Sequence, residues 1–387
     1  MNPKENSLNE IVSKLLKTFA TTLSKPQYVH FEQIIKGILF SKHKSINSYS
    51  KSSIRNQSSL NRFMNSNAVN EEQIRQVLKG LIASKLDFSK EINLVLDDTI
   101  KHHKYGKHIF GLGNHHDHLN GGYSVGQNIV TCGIYQNMKF YPTNYEIYRQ
   151  AEGCETSAFK TKIEIAQAML EEWIDKVNNV LLDSWYASQD ILKYICQKGK
   201  SFFTMMKKDR LFKSNHKVKR QLQEWNKYLD PKKYQIIRIG NQTLAVQEKI
   251  GYLPKVGKVK ILFTKFYDPI TKKSKDLHYV CTNNYNLSME EILLKYKDRW
   301  PIETFYRDNK QLLGLEKSII RKEIGTKRHL LMSFIAHNIL VFSKKKQMSC
   351  GEIQNELKYS YIENVLKNYG LKTYNLEACK KELMILC

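Results

Sequence analysis

Four polar side chains of different chemistry recur in the C-terminal third of the chain at intervals that match the α-helical period. They stand at steps of three, four and seven residues and are Tyr296, Arg299, Glu303 and Lys310. Residues at such steps gather on one side of helical structure. A carboxylate that is flanked by two cations and a phenol suits a site where metal-bound phosphate is handled. The pattern therefore predicts phosphoryl-transfer chemistry in this segment.

Further carboxylates stand at the ends of two short apolar runs that are typical of buried strands. The first run ends on Asp97 and Asp98, and the second ends on Asp183. Carboxylates on rigid strand ends, together with the helical Glu303, are the hard oxygen ligands that Mg²⁺ prefers. Two such ions can activate a nucleophile and stabilise the leaving oxygen of a phosphodiester. We therefore expect a site for two Mg²⁺ ions, in which Mn²⁺ can substitute.

The helical cluster has the spacing Tyr-x2-Arg-x3-Glu-x6-Lys, which resembles the YREK signature of bacterial insertion-sequence DDE transposases. Trp300 after the arginine and Phe305 after the glutamate extend the match. A long interval separates Asp183 from Glu303. Family members that have a β-strand insertion carry the insertion in this interval. The resemblance covers about residues 91–343. It implies a Mg²⁺-dependent transposase that cuts the ends of its element and joins them to target DNA.

The resemblance also implies roles for individual side chains. The implied metal ligands are Asp97, Asp183 and Glu303, and the implied contacts to phosphates of the transposon end are Tyr296, Arg299 and Lys310. Trp300 would stack on a base near the cleavage site, or would belong to the core. Arg299 has a structural alternative, in which it pairs with an acid such as Asp298 or Glu303 and orients the helix. The implied reaction begins with attack by water, and the freed 3′-hydroxyl then attacks the target, with a hairpin at the excised ends between these steps.

Two aspartates compete for the role of the first metal ligand. Asp97 fits the family's Asp-x-Thr form, whereas Asp98 fits the variant in which Thr follows the aspartate directly. Adjacent residues of a strand point to opposite faces, so we expect one of the two to coordinate metal. We favour Asp97. For Asp183 the structural alternative is that its carboxylate caps a helix N-terminus.

The chain is strongly basic, which indicates a polyanionic partner. Among its 387 residues, 62 are Lys or Arg and 37 are Asp or Glu, for a net charge of +25. DNA is the first choice, because its phosphate density makes affinity largely electrostatic. The family resemblance specifies double-stranded DNA, as terminal inverted repeats and as target. We expect a homodimer in a synaptic complex, because two ends must be brought together.

Cysteine spacing and hydropathy indicate the compartment. The seven Cys residues include no Cys-x-x-Cys pair, which favours a reducing cytosol, and a DNA partner would place the chain at the nucleoid. The N-terminus lacks the apolar stretch of a signal peptide. The longest apolar run, 330–342, is shorter than the roughly 20 residues of a membrane span. It predicts a buried helix, and no membrane partner is expected.

The order of predicted elements is that of an α/β fold with a ribonuclease-H-like mixed-sheet core. A β-rich insertion interrupts this core, and a small all-α DNA-binding module with a basic face precedes it. The alternative for that module is a helical cap that only packs on the next domain. The predicted segments are 1–88 (helical module), 89–206 (first part of the core), 207–286 (insertion), 287–345 (catalytic helix and remainder of the core) and 346–387 (helical tail).

The sequence contains a histidine cluster, in which His115 and His118 have a possible zinc spacing. No Cys or second spaced pair accompanies it, so we expect a polar loop near DNA. Its members are His102, His103, His115, His116 and His118.

Two other functions compete with that of a transposase. A ribonuclease-H-like nuclease or resolvase would not need the basic N-terminal module and the YREK residues. An inactive DNA-binding derivative of a transposase would not need all three acids.

Overall fold

The computed structural model describes residues 8–51, 55–103, 106–117, 121–153, 159–214, 218–344 and 348–368. The described N-terminal part is helical, as predicted. Its helices are α1 (Leu8–Lys17), α2 (Lys25–Phe40), α3 (Ile46–Lys51), α4 (Gln57–Asn65) and α5 (Glu71–Ala83). Asn56 begins α4, because its side chain accepts a hydrogen bond from the backbone N–H of Ser59 at 2.9 Å.

A mixed sheet follows the helices. Its first strands and the helices between them are β1 (Asn93–His102), β2 (Leu112–Asp117), β3 (Gly122–Gln136), β4 (Lys139–Tyr148), α6 (Lys162–Trp173), β5 (Asn179–Leu182), α7 (Gln189–Gln197) and β6 (Ser201–Met205). The pairs β1–β3 and β3–β4 are antiparallel, whereas β1–β5 and β5–β6 are parallel. The spatial order β4–β3–β1–β5–β6 is the mixed sheet of a ribonuclease-H-like core, so the predicted fold class is confirmed.

The predicted β-rich insertion is present and continues the same sheet. Its elements are β7 (Leu211–Ser214), β8 (Lys219–Gln221), α8 (Leu222–Trp225), β9 (Gln235–Ile239), β10 (Gln242–Leu253), β11 (Gly257–Tyr267) and β12 (Ser274–Thr282). Strand β12 pairs antiparallel with β6 of the core, which brings the sheet of the described residues to twelve strands. The division of the chain into domains stays a prediction.

One expected loop is a strand. The segment with His115 and His116 forms β2, which pairs with the first half of β3, and His102 is the last residue of β1. The prediction of a polar loop was therefore wrong at these three residues. The alternation of burial along β2 explains this, because His115 is buried while His116 is exposed. His118 lies outside the described residues.

The last helices enclose the sheet and join the N-terminal helices to it. They are α9 (Met289–Lys297), α10 (Pro301–Gln311), α11 (Glu323–Ser343) and α12 (Cys350–Asn368). Helix α11 is the predicted buried helix, and its Arg328 is only 1% exposed. This guanidinium donates to the Ser66 carbonyl at 2.9 Å and pairs with Glu71 at 3.2 Å. No helix in the described ranges has both the length and the apolar character that crossing a membrane requires.

Candidate active site

The two predicted aspartate positions lie at the ends of neighbouring parallel strands. The pairing of β1 with β5 runs from Asn93 opposite Asn179 to Leu96 opposite Leu182. The same register, carried one residue further, places Asp97 beside Asp183. Side chains at matched positions of parallel strands point to the same face. Asp183 does not cap the next helix, because Ser188 caps α7 with its side chain on Ile191 N–H at 3.2 Å.

Glu303 reaches this strand edge from α10. Pro301 begins that helix, where a residue without a backbone N–H donor fits well, and Glu303 follows within the first turn. Helix α10 lies against β1 and β4 through Ile302 and Phe305, and the Phe305 ring centroid is 5.6 Å from that of Phe140 on β4. The buried side of α10 thus fixes where the half-buried carboxylate of Glu303 points.

Arg299 connects the first aspartate to the glutamate. One terminal nitrogen of its guanidinium lies 2.8 Å from Asp97 Oδ2, and the other donates to Glu303 Oε1. The two acids therefore face each other across a single guanidinium. The structural alternative named Asp298 and Glu303 as possible partners of Arg299, and the guanidinium pairs with Glu303. The Tyr296 ring packs beside it, with its centroid 5.8 Å from the guanidinium carbon.

Asp98 lines the same cavity as Asp97 but has its own partners. It accepts hydrogen bonds from Tyr186 Oη at 2.8 Å and from Asn128 Nδ2 at 2.6 Å, and Lys162 Nζ lies 2.9 Å away. Strand alternation explains the difference, because Asp97 and Asp98 are neighbours on β1. Asp97 faces Arg299, and Asp98 is saturated by three donors.

Burial and neighbouring charges shift the pKa values of Asp97 and Arg299. Burial raises the pKa of Asp97 to about 7, Arg299 opposes the shift, and the nearby carboxylates of Asp98 and Asp183 add to it. Burial alone would lower the pKa of the Arg299 guanidinium, but Tyr296, Asp97 and Glu303 around it raise that pKa above its usual range. Both pKa values rise, with opposite effects on charge. The acidic groups around Arg299 favour its charged form, whereas burial and two acidic neighbours outweigh the one cation beside Asp97 and favour its neutral form.

The donor set fits divalent cations. Asp97, Asp183 and Glu303 offer carboxylate oxygens, which Mg²⁺ and Mn²⁺ prefer. Across the described residues, no three His, Cys, Asp or Glu side chains already converge as ready-made ligands. Arg299 stands between two of the acids instead, so binding a cation requires this guanidinium to release at least one of them.

Lys310 lines the cavity of the acids, whereas Trp300 lies outside it. Lys310 donates to the Ile100 carbonyl of β1 at 2.8 Å, pairs with Glu316 at 3.3 Å and lines the same cavity as Asp97 and Asp183. Trp300 is 61% exposed, so it does not belong to the core. It lines a separate groove with Met138 and Leu294. The DNA contacts of these residues stay a prediction.

Sequence reasoning missed the residues on the Asp98 side of the cavity. Lys162 lies in the first turn of α6, and Trp185 and Tyr186 follow Asp183 directly. The aromatic residues that follow the second aspartate were visible in the sequence, but the hydrogen bond from Tyr186 to Asp98 was not. Nothing in the sequence around Lys162 indicates that it would pair with a residue so distant in the chain.

Comparison with protein families agrees with this geometry. The family described as "Transposase DDE domain" matches residues 132–339, and the family described as "DDE superfamily endonuclease" matches residues 19–224. Each match spans more than half of the chain, and the second includes both aspartate positions and most of the N-terminal helices. A comparison with curated proteins found no match. A ribonuclease-H-like sheet, acids at adjacent strand ends and two family matches lead to one conclusion: the chain belongs to the DDE transposases.

Proposed function

We propose that this transposase cuts the ends of an insertion sequence by phosphodiester hydrolysis and joins them to target DNA by transesterification. The observation that carries the proposal is the placement of Asp97 beside Asp183 with Glu303 one guanidinium away. Mg²⁺, with Mn²⁺ as a substitute, would supply Lewis acidity and orient the attacking oxygen when bound there. Asp97, Asp183 and Glu303 would hold it.

The cations around the acids would bind the phosphates of the cut strand. Arg299 has two terminal nitrogens, so on release from Asp97 or Glu303 it can grip a phosphate bidentately. Lys310 is fixed by the Ile100 carbonyl and keeps its ammonium at the cavity, where it acts as a point charge. Tyr296 would support Arg299 from behind.

A second surface suits the DNA beyond the cleavage site. A groove of about 800 Å³ separates α3 and α4 from the segment 317–322. Its cations are Lys44, Arg62, Lys317, Arg321 and Lys322. Gln57, Asn61 and Asn65 recur every fourth residue on α4, so three amides form a row on one helix face. Amide side chains can pair with adenine edges, and the cations would bind phosphates.

The partners would be terminal inverted repeats and target DNA, bound by a homodimer at the nucleoid. A single chain presents one set of acids, and transposition joins two ends, so two copies would be needed to process both. Cross-linking of the full chain on paired end fragments would trap a dimer if this is right. A monomer that processes both ends would contradict it.

The function is tested with two duplex fragments, each of which contains one boundary between the element that carries the gene and the flanking DNA. In Mg²⁺ the unaltered chain should nick these fragments at the element boundary. Asp183→Ala and Glu303→Ala should bind them and leave them uncut, because affinity depends on cations and cleavage on acids. Asp190→Ala removes an exposed carboxylate at the start of α7 and serves as the matched control. Cleavage by Asp183→Ala or Glu303→Ala at the rate of Asp190→Ala would contradict the proposal.

A further inference from the structure

We propose that Trp185 is the platform on which an unpaired base of the cut strand stacks, with Lys162 beside it for the adjoining phosphate. This subsite rests on the proposed function and extends it to residues that the signature does not contain. The cavity at the acids has a volume of about 450 Å³. Asp97, Asp183 and Lys310 line it together with Trp185 and Lys162.

Exposure and position together distinguish Trp185 from the other three tryptophans. The chain has four Trp residues, and Trp173 and Trp225 are only 2% and 5% exposed. Trp185 is 40% exposed although it lies two residues after a catalytic acid in the sequence. Trp300 is exposed as well, but it lines the separate groove with Met138. Trp185 is therefore the tryptophan that faces the cavity of the acids.

The ring of Trp185 is held in place relative to β1. It meets Tyr186 edge-on, with centroids 5.0 Å apart at 70°. Tyr186 donates to Asp98 at 2.8 Å, and Lys162 Nζ lies 2.9 Å from Asp98 and 4.9 Å from the centroid of the Trp185 ring. An aromatic surface that is anchored in this way loses little side-chain freedom when a base stacks on it.

A base suits this subsite better than other ligands. To place a phosphodiester at Asp97 and Asp183 in a cavity of this size, the adjoining nucleotide must leave the duplex stack. That step costs a few kcal/mol, and stacking on an aromatic side chain compensates for it. Lys162 supplies a cation next to the ring, as a nucleotide with one phosphate requires. Tyr123, which is 73% exposed, also lines this cavity and offers a second aromatic side chain.

The test uses a duplex of about 20 base pairs with a 3′ extension of about four nucleotides that contains 2-aminopurine. Calcium replaces Mg²⁺ so that the strand stays intact. Binding to the unaltered chain should quench the 2-aminopurine fluorescence. Trp185→Leu should abolish the quenching and weaken binding of the extended duplex at least about fivefold, with unchanged binding of the blunt duplex. Trp185→Tyr should restore both.

Tyr359→Leu is the matched control, because Tyr359 is 61% exposed but lies on α12 and does not line the cavity. Quenching that persists in Trp185→Leu, or that is lost equally in Tyr359→Leu, would overturn the assignment of Trp185. Failure of the unaltered chain to bind even the blunt duplex would instead refute the proposed function. Circular dichroism and a melting curve for each variant separate loss of the ring from loss of folding.

Discussion

Replacing Asp97 with Asn should make the chain more stable at alkaline pH while it removes DNA cleavage. The pKa of Asp97 is about 7 in the folded chain against a usual value of 3.8. The folded chain thus binds this proton more tightly than the unfolded chain does. Below pH 3.8 the Asp97 carboxyl is protonated in both the folded and the unfolded chain, so it does not lower the free energy of unfolding. Between pH 3.8 and 7 the free energy of unfolding falls as pH rises, and above pH 7 the full cost of the buried charge is present.

The magnitude follows from the two pKa values. A carboxyl with this difference destabilises the folded chain by about 4 kcal/mol at pH 8 and by less than half of that at pH 5. The pKa of Asp97 already includes the attraction of Arg299, and in the variant Arg299 keeps its bond to Glu303. For 387 residues that unfold as one unit, 4 kcal/mol corresponds to about 5 °C in melting temperature.

The assay is a melting curve at pH 5 and at pH 8, with divalent metal removed by a chelator. Asp97→Asn should melt about 5 °C above the unaltered chain at pH 8, and the gain should shrink to about 2 °C at pH 5. Asp175→Asn is the control, because its side chain is 76% exposed. A variant that melts lower than the unaltered chain at pH 8 would refute the reasoning, since Asp97 would then stabilise the fold.

Three further outcomes are expected. Asp98→Asn should reduce cleavage less than about tenfold but lower the free energy of unfolding by about 1–3 kcal/mol, because it leaves Lys162 without its partner. Urea denaturation and cleavage rates measure these two effects. A loss of cleavage equal to that of Asp97→Asn would contradict the prediction. Arg328→Met should destabilise the chain by about 3 kcal/mol or more and speed amide hydrogen exchange in α4 and α5, and unchanged exchange there would contradict the joining role. Arg62→Ala and Arg321→Ala should each reduce the salt slope of end binding by about one, measured across a salt series, and an unaltered slope would remove that residue from the DNA groove.

The parts of the site that follow from local patterns were predictable from the sequence. The apolar run before Asp97 indicated β1, and the helical spacing of Arg299, Glu303 and Lys310 indicated α10. Both elements are present as predicted. The strands of the insertion were also predicted, because alternating apolar residues between turn residues are a local signal.

The parts that depend on distant pairing were not predictable. The sequence did not indicate that β12 would pair with β6, which merges the insertion with the core sheet. The pairing of Arg299 with Asp97 joins residues about two hundred positions apart. The pairing of Lys162 with Asp98 likewise brings together residues on separate elements. Period-two alternation predicted that Asp97 and Asp98 point to opposite faces of β1. The two carboxylates have different partners but line the same cavity, so the choice of the first metal ligand stays a prediction.

The most direct test of the metal site replaces Glu303 with Cys and compares cleavage of the border fragments in Mg²⁺ and in Mn²⁺. Mg²⁺ coordinates sulfur poorly, whereas softer divalent ions accept it better. If Glu303 is a metal ligand, Glu303→Cys should lose cleavage in Mg²⁺ and regain a measurable part of it in Mn²⁺, while Glu303→Ala stays inactive in both. Equal behaviour of the Cys and Ala variants in both ions, with DNA binding intact, would contradict metal binding by Glu303.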